Sequence, residues 1–329
     1  MKVSFEELRQ TLKNILLQFP FSELKADLCA GVFASNSRDG VYSHGLNRFP
    51  VFIEYLKKGF INPSAEPELV KKNGLLETWD GHEGPGMYNA TICMERAITL
   101  AKTNGFGCVN IRNSNHWMRG GTYGWQAADE GCIGICFTNA IAGMPPWGGS
   151  KARLGNNPII IAVPRKEGHI VLDMAISQFS YGKMQEYEIA KQPLPFAGGY
   201  DDSGALSQDP ALIRQLKTAL PIGFWKGSGL ALMLDILLTA LGGGKSTAVI
   251  SNSGNEVGLS QCFICFYQKD FHPSLVEEIL AYTKSEFPDE NGKISYPGER
   301  TLSTRNKNER EGIPVNPEIW EKVLNMVKR

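Results

Sequence analysis

The sequence predicts a chain of mixed α and β structure: a central sheet domain, α/β or α+β, with a helical domain built from both ends. Three observations predict it. Apolar residues recur at helical spacing near both termini, and short strand-like apolar runs fill the middle. The glycine fingerprint of a doubly wound dinucleotide fold is missing. At 329 residues, 42% of them hydrophobic, the chain can bury one large domain or two ordinary ones. The expected division is 1–70 for the N-terminal part of the helical domain, 71–270 for the central sheet domain and 271–329 for the C-terminal helical part.

Each element follows from local pattern. Ser4-x-x-Glu7 is a capping box, after which Phe5, Leu8, Leu12, Ile15 and Leu16 recur on one helical face. A second helix is expected over Glu23 to Ser37. A third follows His44, with Phe49, Phe52, Ile53 and Leu56 on one face. Strands are expected at Gly107–Ile111, Ile133–Thr138, Pro158–Val163, Ile170–Met174 and Cys262–Phe266. Helices are expected between some of them, at 88–103, 121–130 and 227–241. The C-terminal region returns to helix at 275–287, 301–311 and 316–327, with a break over Gly292–Gly298.

Composition excludes several classes. Basic and acidic residues balance at 34 each, which argues against nucleic acid as a general partner, because phosphate binding needs a basic surface. The opening MKVSFEELRQ lacks the apolar core of a signal peptide. The longest apolar run, Leu230 to Leu241, contains Asp235 and is too short to cross a bilayer, so no membrane partner and a cytoplasmic location are expected. Seven scattered cysteines, odd in number and in apolar surroundings, read as buried reduced thiols.

Familiar motifs fail on inspection. After Gly105-Phe106-Gly107, Gly84-Pro85-Gly86 and Gly227-Ser228-Gly229, the third glycine of G-x-G-x-x-G is replaced by Asn110, Asn89 and Leu232. Gly244-Lys245-Ser246 mimics the end of a phosphate loop, but its first glycine would fall at Thr239 inside an apolar helix. A glycine helix stop is the better reading. Cys262-Phe263-Ile264-Cys265 has no second ligand pair for zinc and reads as strand packing, so no metal is expected.

Three polar clusters remain. In Tyr42-Ser43-His44-Gly45-Leu46-Asn47-Arg48, the imidazole can move a proton near neutral pH. If a helix starts there, Arg48 lies one turn on, and its planar fork suits a carboxylate. An ordinary surface histidine is the competing reading. In Arg112 to Gly121, Asn115 and His116 follow a strand and precede a Gly-Gly helix entry. This is a natural ligand position, or equally a capped turn. The loops Thr138-Asn139-Ala140, Pro145-Pro146-Trp147-Gly148-Gly149 and Gly155-Asn156-Asn157-Pro158 can fix backbone near a ligand or a partner subunit. His82, His169 and His272 lie in loop-like surroundings with no proton-transfer role assigned.

Taken in order, Tyr42-Ser43-His44-Gly45, Asn115-His116, the Asn139 to Pro146 loop, Gly155-Asn156-Asn157-Pro158, Leu172-Asp173-Met174-Ala175 and Lys226-Gly227-x-Gly229 resemble the malate/L-lactate dehydrogenase family, from about residue 1 to about residue 325. Within it, the longer stretches around His44, His116-Trp117-Met118-Arg119, Met144-Pro145-Pro146-Trp147 and Trp225-Lys226 are similar to a branch that reduces a diketo sugar acid.

The resemblance implies an α+β, non-Rossmann fold and a homodimer that binds NADH, with NADPH as the alternative, in a cleft where subunits meet. It implies a small 2-oxo acid as substrate and His44 as proton donor; Arg48 and His116, by their own chemistry, are the expected substrate contacts. Cofactor contacts are implied at His169, Ile170, Val171, Leu172, Asp173, Met174 and Ala175, at Trp225 and Lys226, and at Gly298, Glu299 and Arg300. The last stretch departs from the family pattern, with Glu299-Arg300 where some relatives have His-Glu.

Overall fold

The computed structural model of the chain describes residues 1–269, 271–286, 292 and 294–327. The first three helices are α1 (Phe5–Leu16), α2 (Glu23–Arg38) and α3 (Phe49–Lys57). The middle of the chain adds α4 (Gly86–Asn104), α5 (Gly121–Asp129), α6 (Tyr181–Ile189), α7 (Pro210–Leu216), α8 (Trp225–Gly242) and α9 (Thr247–Asn252). The last are α10 (Pro273–Lys284), α11 (Glu299–Glu311) and α12 (Pro317–Val327).

The Ser4 side chain accepts from the Glu7 N–H and starts α1, as its capping box requires. The apolar faces of α1, α2, α3 and α12 meet in one core that includes Leu8, Leu12, Phe33, Phe49, Trp320 and Val323. A two-residue antiparallel pairing of Lys2–Val3 with Ile313–Pro314 ties the chain ends together across this core. Residues 287–291 and 293, which contain the end of the helix expected over 275–287 and part of the Gly292–Gly298 break, lie outside the described residues.

Seven strands make the main sheet: β1 (Glu68–Asn73), β2 (Leu76–Asp80), β3 (Phe106–Ser114), β4 (Ile133–Thr138), β5 (Ile159–Val163), β6 (Ile170–Met174) and β7 (Leu259–Phe266). Their spatial order is β1-β2-β3-β7-β4-β5-β6. Only β2 and β3 run parallel, with Leu76 opposite Cys108; every other pairing is antiparallel. A mixed, mostly antiparallel sheet beside a separate helical core from the chain ends is an α+β fold.

Both faces of the sheet are covered. Helices α4 and α5 seal the face carrying Val109, Ile111, Ile160, Phe263 and Cys265. Helix α8 seals the other, where Ala231, Leu234 and Leu238 meet Cys108, Phe137 and Cys262. Cys262 and Cys265, three positions apart on one strand, therefore point to opposite faces and are both buried. All seven cysteines are free and buried.

Four departures from the sequence reading have physical causes. The β1–β2 hairpin was missed, because β1 is exposed throughout and has no buried face to create alternation. Its turn signal was legible: Asn73 pairs with Leu76, and Gly74 sits at φ +60 in the first of two turn positions. Helices α6, α7 and α9 were also missed, although Ser180, Asp209 and Ser246 cap them by accepting backbone N–H bonds. The segment after His44 is not yet α-helix. Two 3-10 turns, Tyr42–His44 and Leu46–Arg48, come first and are broken at Gly45. Finally, α8 extends beyond the expected apolar run to 18 residues, long and apolar enough to cross a membrane by length and composition. A third of it is buried, against the sheet.

Candidate active site

Gly45 explains the kinked path of the His44 loop. A Cβ there would lie 2.2 Å from Ser37 Oγ and 2.8 Å from Ser37 N, so only glycine lets the loop press against α2. Ser37 Oγ accepts from the Leu46 N–H at 2.9 Å, and the Asn36 amide donates to the His44 carbonyl at 2.9 Å. Helix α2 thus holds the loop from behind. His44 Nδ1 lies 3.1 Å from the Ser43 hydroxyl.

The opposite bank is the end of β3. Asn113 at φ +52 and Met118 at φ +66 bend the chain away from the sheet. The Asn115 amide donates to the carbonyls of Glu83 and Gly84 at 2.7 and 3.1 Å. Gln261 donates to the Asn115 carbonyl at 2.9 Å. His116 therefore sits on a rigid turn. Its Nδ1 accepts from the Met118 N–H at 3.0 Å, which leaves Nε2 as the protonated, donating nitrogen. The two imidazoles stack, with centroids 5.8 Å apart and planes at 22°.

His44, His116 and Arg48 line one cavity of about 1530 Å³, together with Arg119, Asn139, Asp173, Tyr181 and Glu256. The three expected site residues thus share a cavity, but by a route other than the expected one. His44 and Arg48 share this cavity through a turn broken at glycine, not through one helical turn.

Electrostatics set the protonation states. Burial, reinforced by His116 and Arg48, pushes His44 down to about 3, while the charge of Asp173 works the other way. Burial and Arg48 push His116 down to about 3 as well. Both rings are therefore neutral at pH 7, with the Arg48 charge acting on each. Behind them, Arg119 donates to Asp39 at 2.8 Å and to Asp173 at 3.4 Å, and the Gly121 N–H donates to Asp173 at 3.0 Å. Arg305 also binds Asp39, through two nitrogens at 2.8 and 2.7 Å. Burial would raise the Asp39 carboxyl. The Arg305 bond and the charges of Arg119 and Arg38 bring it below its ordinary value instead.

The residues expected at a cofactor divide into two groups. Val171, Leu172, Asp173, Ala175, Gly298, Glu299 and Arg300 line the cavity. His169, Ile170, Met174, Trp225 and Lys226 do not. His169 instead packs against Trp125 and pairs with Asp129 at 2.9 Å. Trp225 opens α8 on the protein surface, 64% exposed. Arg119 and Glu256 were missed as site residues. Arg119 stood inside a flagged cluster, whereas Glu256 meets Arg48 from 208 positions away and carries no local signal.

The cavity fits a dinucleotide better than a small acid alone, since drug-sized ligands occupy roughly 300–1,000 Å³. Gly298, at φ +96, lets the start of α11 press against β6, where a Cβ would come within 3.0 Å of Val171 N. Helix α11 begins there with no side-chain cap, beside the Arg300 guanidinium, a donor set suited to an anionic group. Among the described residues no group of three or more metal-ligating side chains occurs.

A cavity that gathers two histidines beside Arg48, on a non-Rossmann α+β frame, defines a class, and comparison with known proteins agrees. The chain belongs to the malate/L-lactate dehydrogenase family, whose pattern it matches over residues 3–324. It is an oxidoreductase acting on CH–OH/C=O groups. It is 43% identical to the 2,3-diketo-L-gulonate reductase of Citrobacter koseri (strain ATCC BAA-895 / CDC 4225-83 / SGSC4696), over 98% of this chain and 99% of that one. The same identity and coverage hold for the reductase of that name from Escherichia coli O6:K15:H31 (strain 536 / UPEC). Among solved structures, malate dehydrogenase from Entamoeba histolytica superposes with a TM-score of 0.93 at 26% identity, covering 100% of this chain and 97% of that one. Sulfolactate dehydrogenase from Methanocaldococcus jannaschii gives 0.90 at 31% identity, covering 100% and 97%.

Proposed function

We propose that the protein reduces 2,3-diketo-L-gulonate at C2 to 3-dehydro-L-gulonate, with NADH as the preferred cofactor and NADPH as the alternative. The observation that carries this reading is the convergence of His44, His116 and Arg48 on one cavity large enough for a dinucleotide and an acid. The identity to 2,3-diketo-L-gulonate reductases over nearly the whole chain supports the choice of substrate.

Bound NADH supplies the hydride. The chain's own residues orient the acid and manage the proton. Arg48 clamps the substrate carboxylate, and the Nε2–H of His116 donates to a substrate oxygen. His44 delivers a proton to the C2 oxygen as negative charge develops there. The free enzyme keeps His44 neutral, partly through the charge of Arg48. A carboxylate on Arg48 offsets that charge and so removes one of the causes that oppose protonation of His44, while burial, the largest cause, remains. Asp173, held by Arg119 and the Gly121 N–H, favours the same protonated form.

The cofactor would lie along β6 and the start of α11. Trp225 and Lys226 lie outside this chain's cavity, so their contact with it requires a second copy. The outward side of α8 supports a homodimer: Leu230, Met233, Ile236, Leu237 and Leu241 are exposed along it, close in sequence to exposed Phe224 and Trp225.

An NADH-oxidation assay across 2-oxo acids tests the reading. 2,3-Diketo-L-gulonate should exceed oxaloacetate, pyruvate and the oxo acid of ureidoglycolate in kcat/KM. A faster reaction with one of the latter would instead make the protein a malate, L-lactate or ureidoglycolate dehydrogenase.

A further inference from the structure

We infer that Glu256 determines the charge class of the substrate. It makes the site select 2-oxo acids with one anionic group and a hydroxylated tail over acids with a second anionic group. The inference rests on the proposed function, in which Arg48 holds the substrate carboxylate.

Glu256 lies in the loop between α9 and β7, its side chain only 16% exposed. One carboxylate oxygen accepts from the Ile141 N–H at 3.2 Å, which fixes the group in place. The other lies 3.9 Å from Arg48 Nη2. That separation exceeds a hydrogen bond, so the guanidinium is half balanced yet keeps its donors for a ligand. Glu256 also lines the small pocket behind Arg48 and His116, so it flanks the clamp from two sides.

The charged side chains that act on His44 are Arg48, Arg119 and Asp173, and Glu256 stands beside Arg48. Arg119 is already engaged by Asp39 and Asp173. Arg48 is therefore the cation that a substrate meets beside His44 and His116. One carboxylate satisfies it. A second anionic group on the same small molecule would face Glu256 with no comparable cation beside it. The other lining cations, Arg214, Lys217 and Arg300, belong to α7, its C-terminal cap and α11, and Arg214 is paired with Glu188. A neutral hydroxyl in the same place would donate to the Glu256 carboxylate in a charge-assisted bond. Repulsion between unit charges roughly 7 Å apart, at an effective dielectric near 20, corresponds to discrimination on the order of tenfold or more.

The test compares 4-hydroxy-2-oxobutyrate with oxaloacetate, which differ only in a hydroxymethyl against a carboxylate. In wild type the hydroxylated acid should have the higher kcat/KM. Glu256→Gln keeps an acceptor for the Ile141 N–H and removes the charge. It should move the ratio toward oxaloacetate by about tenfold, mostly through the KM of oxaloacetate. As a readout independent of turnover, inhibition by malonate, a dianion, should tighten by about tenfold, while oxamate, a monoanion, still binds as in wild type and shows the variant is folded. An unmoved substrate ratio together with unmoved malonate inhibition overturns the role of Glu256 and leaves the proposed function standing. Failure of the wild type to reduce either 4-hydroxy-2-oxobutyrate or 2,3-diketo-L-gulonate overturns both.

Discussion

The two ends of the cavity are built differently. At the His44 end nearly every group is braced. Ser37 and Asn36 hold the loop, Asn115 is bonded to neighbouring carbonyls, and Asp39 receives Arg38, Arg119 and Arg305. At the α11 end, the helix starts without a side-chain cap and Arg300 is exposed; Trp225, assigned to the same cofactor, stands outside the cavity. The contrast teaches where preorganisation was worth its cost. On the proposed reading, proton transfer and carboxylate clamping belong to the braced end, and both tolerate little misplacement, so one chain fixes them in advance. On the same reading cofactor binding spreads over a long surface, and the ligand and the proposed second copy would complete it.

Breaking the braced end should have the largest effect. His44→Ala should lower kcat by roughly 10²–10⁴-fold while NADH, followed by fluorescence titration, still binds. Turnover within a few fold of wild type would remove His44 from the proton step. Arg48→Lys keeps the charge but loses the fork, so the KM for the 2-oxo acid should rise by about ten- to a hundredfold with kcat less affected. An unaltered KM would remove the clamp.

The pH dependence sharpens the same contrast. Because the free enzyme's His44 is held near 3, it is neutral throughout ordinary assay conditions. Reductive kcat/KM, which reports the free enzyme, should fall by about tenfold per pH unit from pH 5 to 8 with no plateau. A plateau up to pH 6.5 would mean the imidazole is already charged before substrate arrives. The smallest effect is expected at the open end. Met233→Glu on α8 should convert a dimer to a monomer in sedimentation velocity and weaken NADH binding several-fold, leaving the fold intact by circular dichroism. A dimer that persists unchanged would place the subunit contact elsewhere.

Much of this was legible beforehand. Ser4 and Glu7 announced α1, and the apolar runs of β4 and β6 were delimited to the residue. His44, His116 and Arg48 were named from short motifs. The exposed β1 strand escaped because it buries no face, and α6, α7 and α9 escaped because caps were not weighed without a strong apolar period behind them. Glu256 escaped because its partner is 208 positions away.

The sequence by itself determined a mixed α and β chain, the helical ends, the absence of a glycine fingerprint and the residue types able to move a proton and hold a carboxylate. Those properties are local, since they follow from period, capping and side-chain chemistry. Tertiary structure alone decided that the His44 loop breaks at Gly45, that burial holds both imidazoles neutral, and that a chain of ion pairs from Arg305 through Asp39 to Arg119 reaches Asp173. It also decided which carboxylate faces the clamp. Burial and charge proximity depend on which distant segments meet, and no local pattern carries that information.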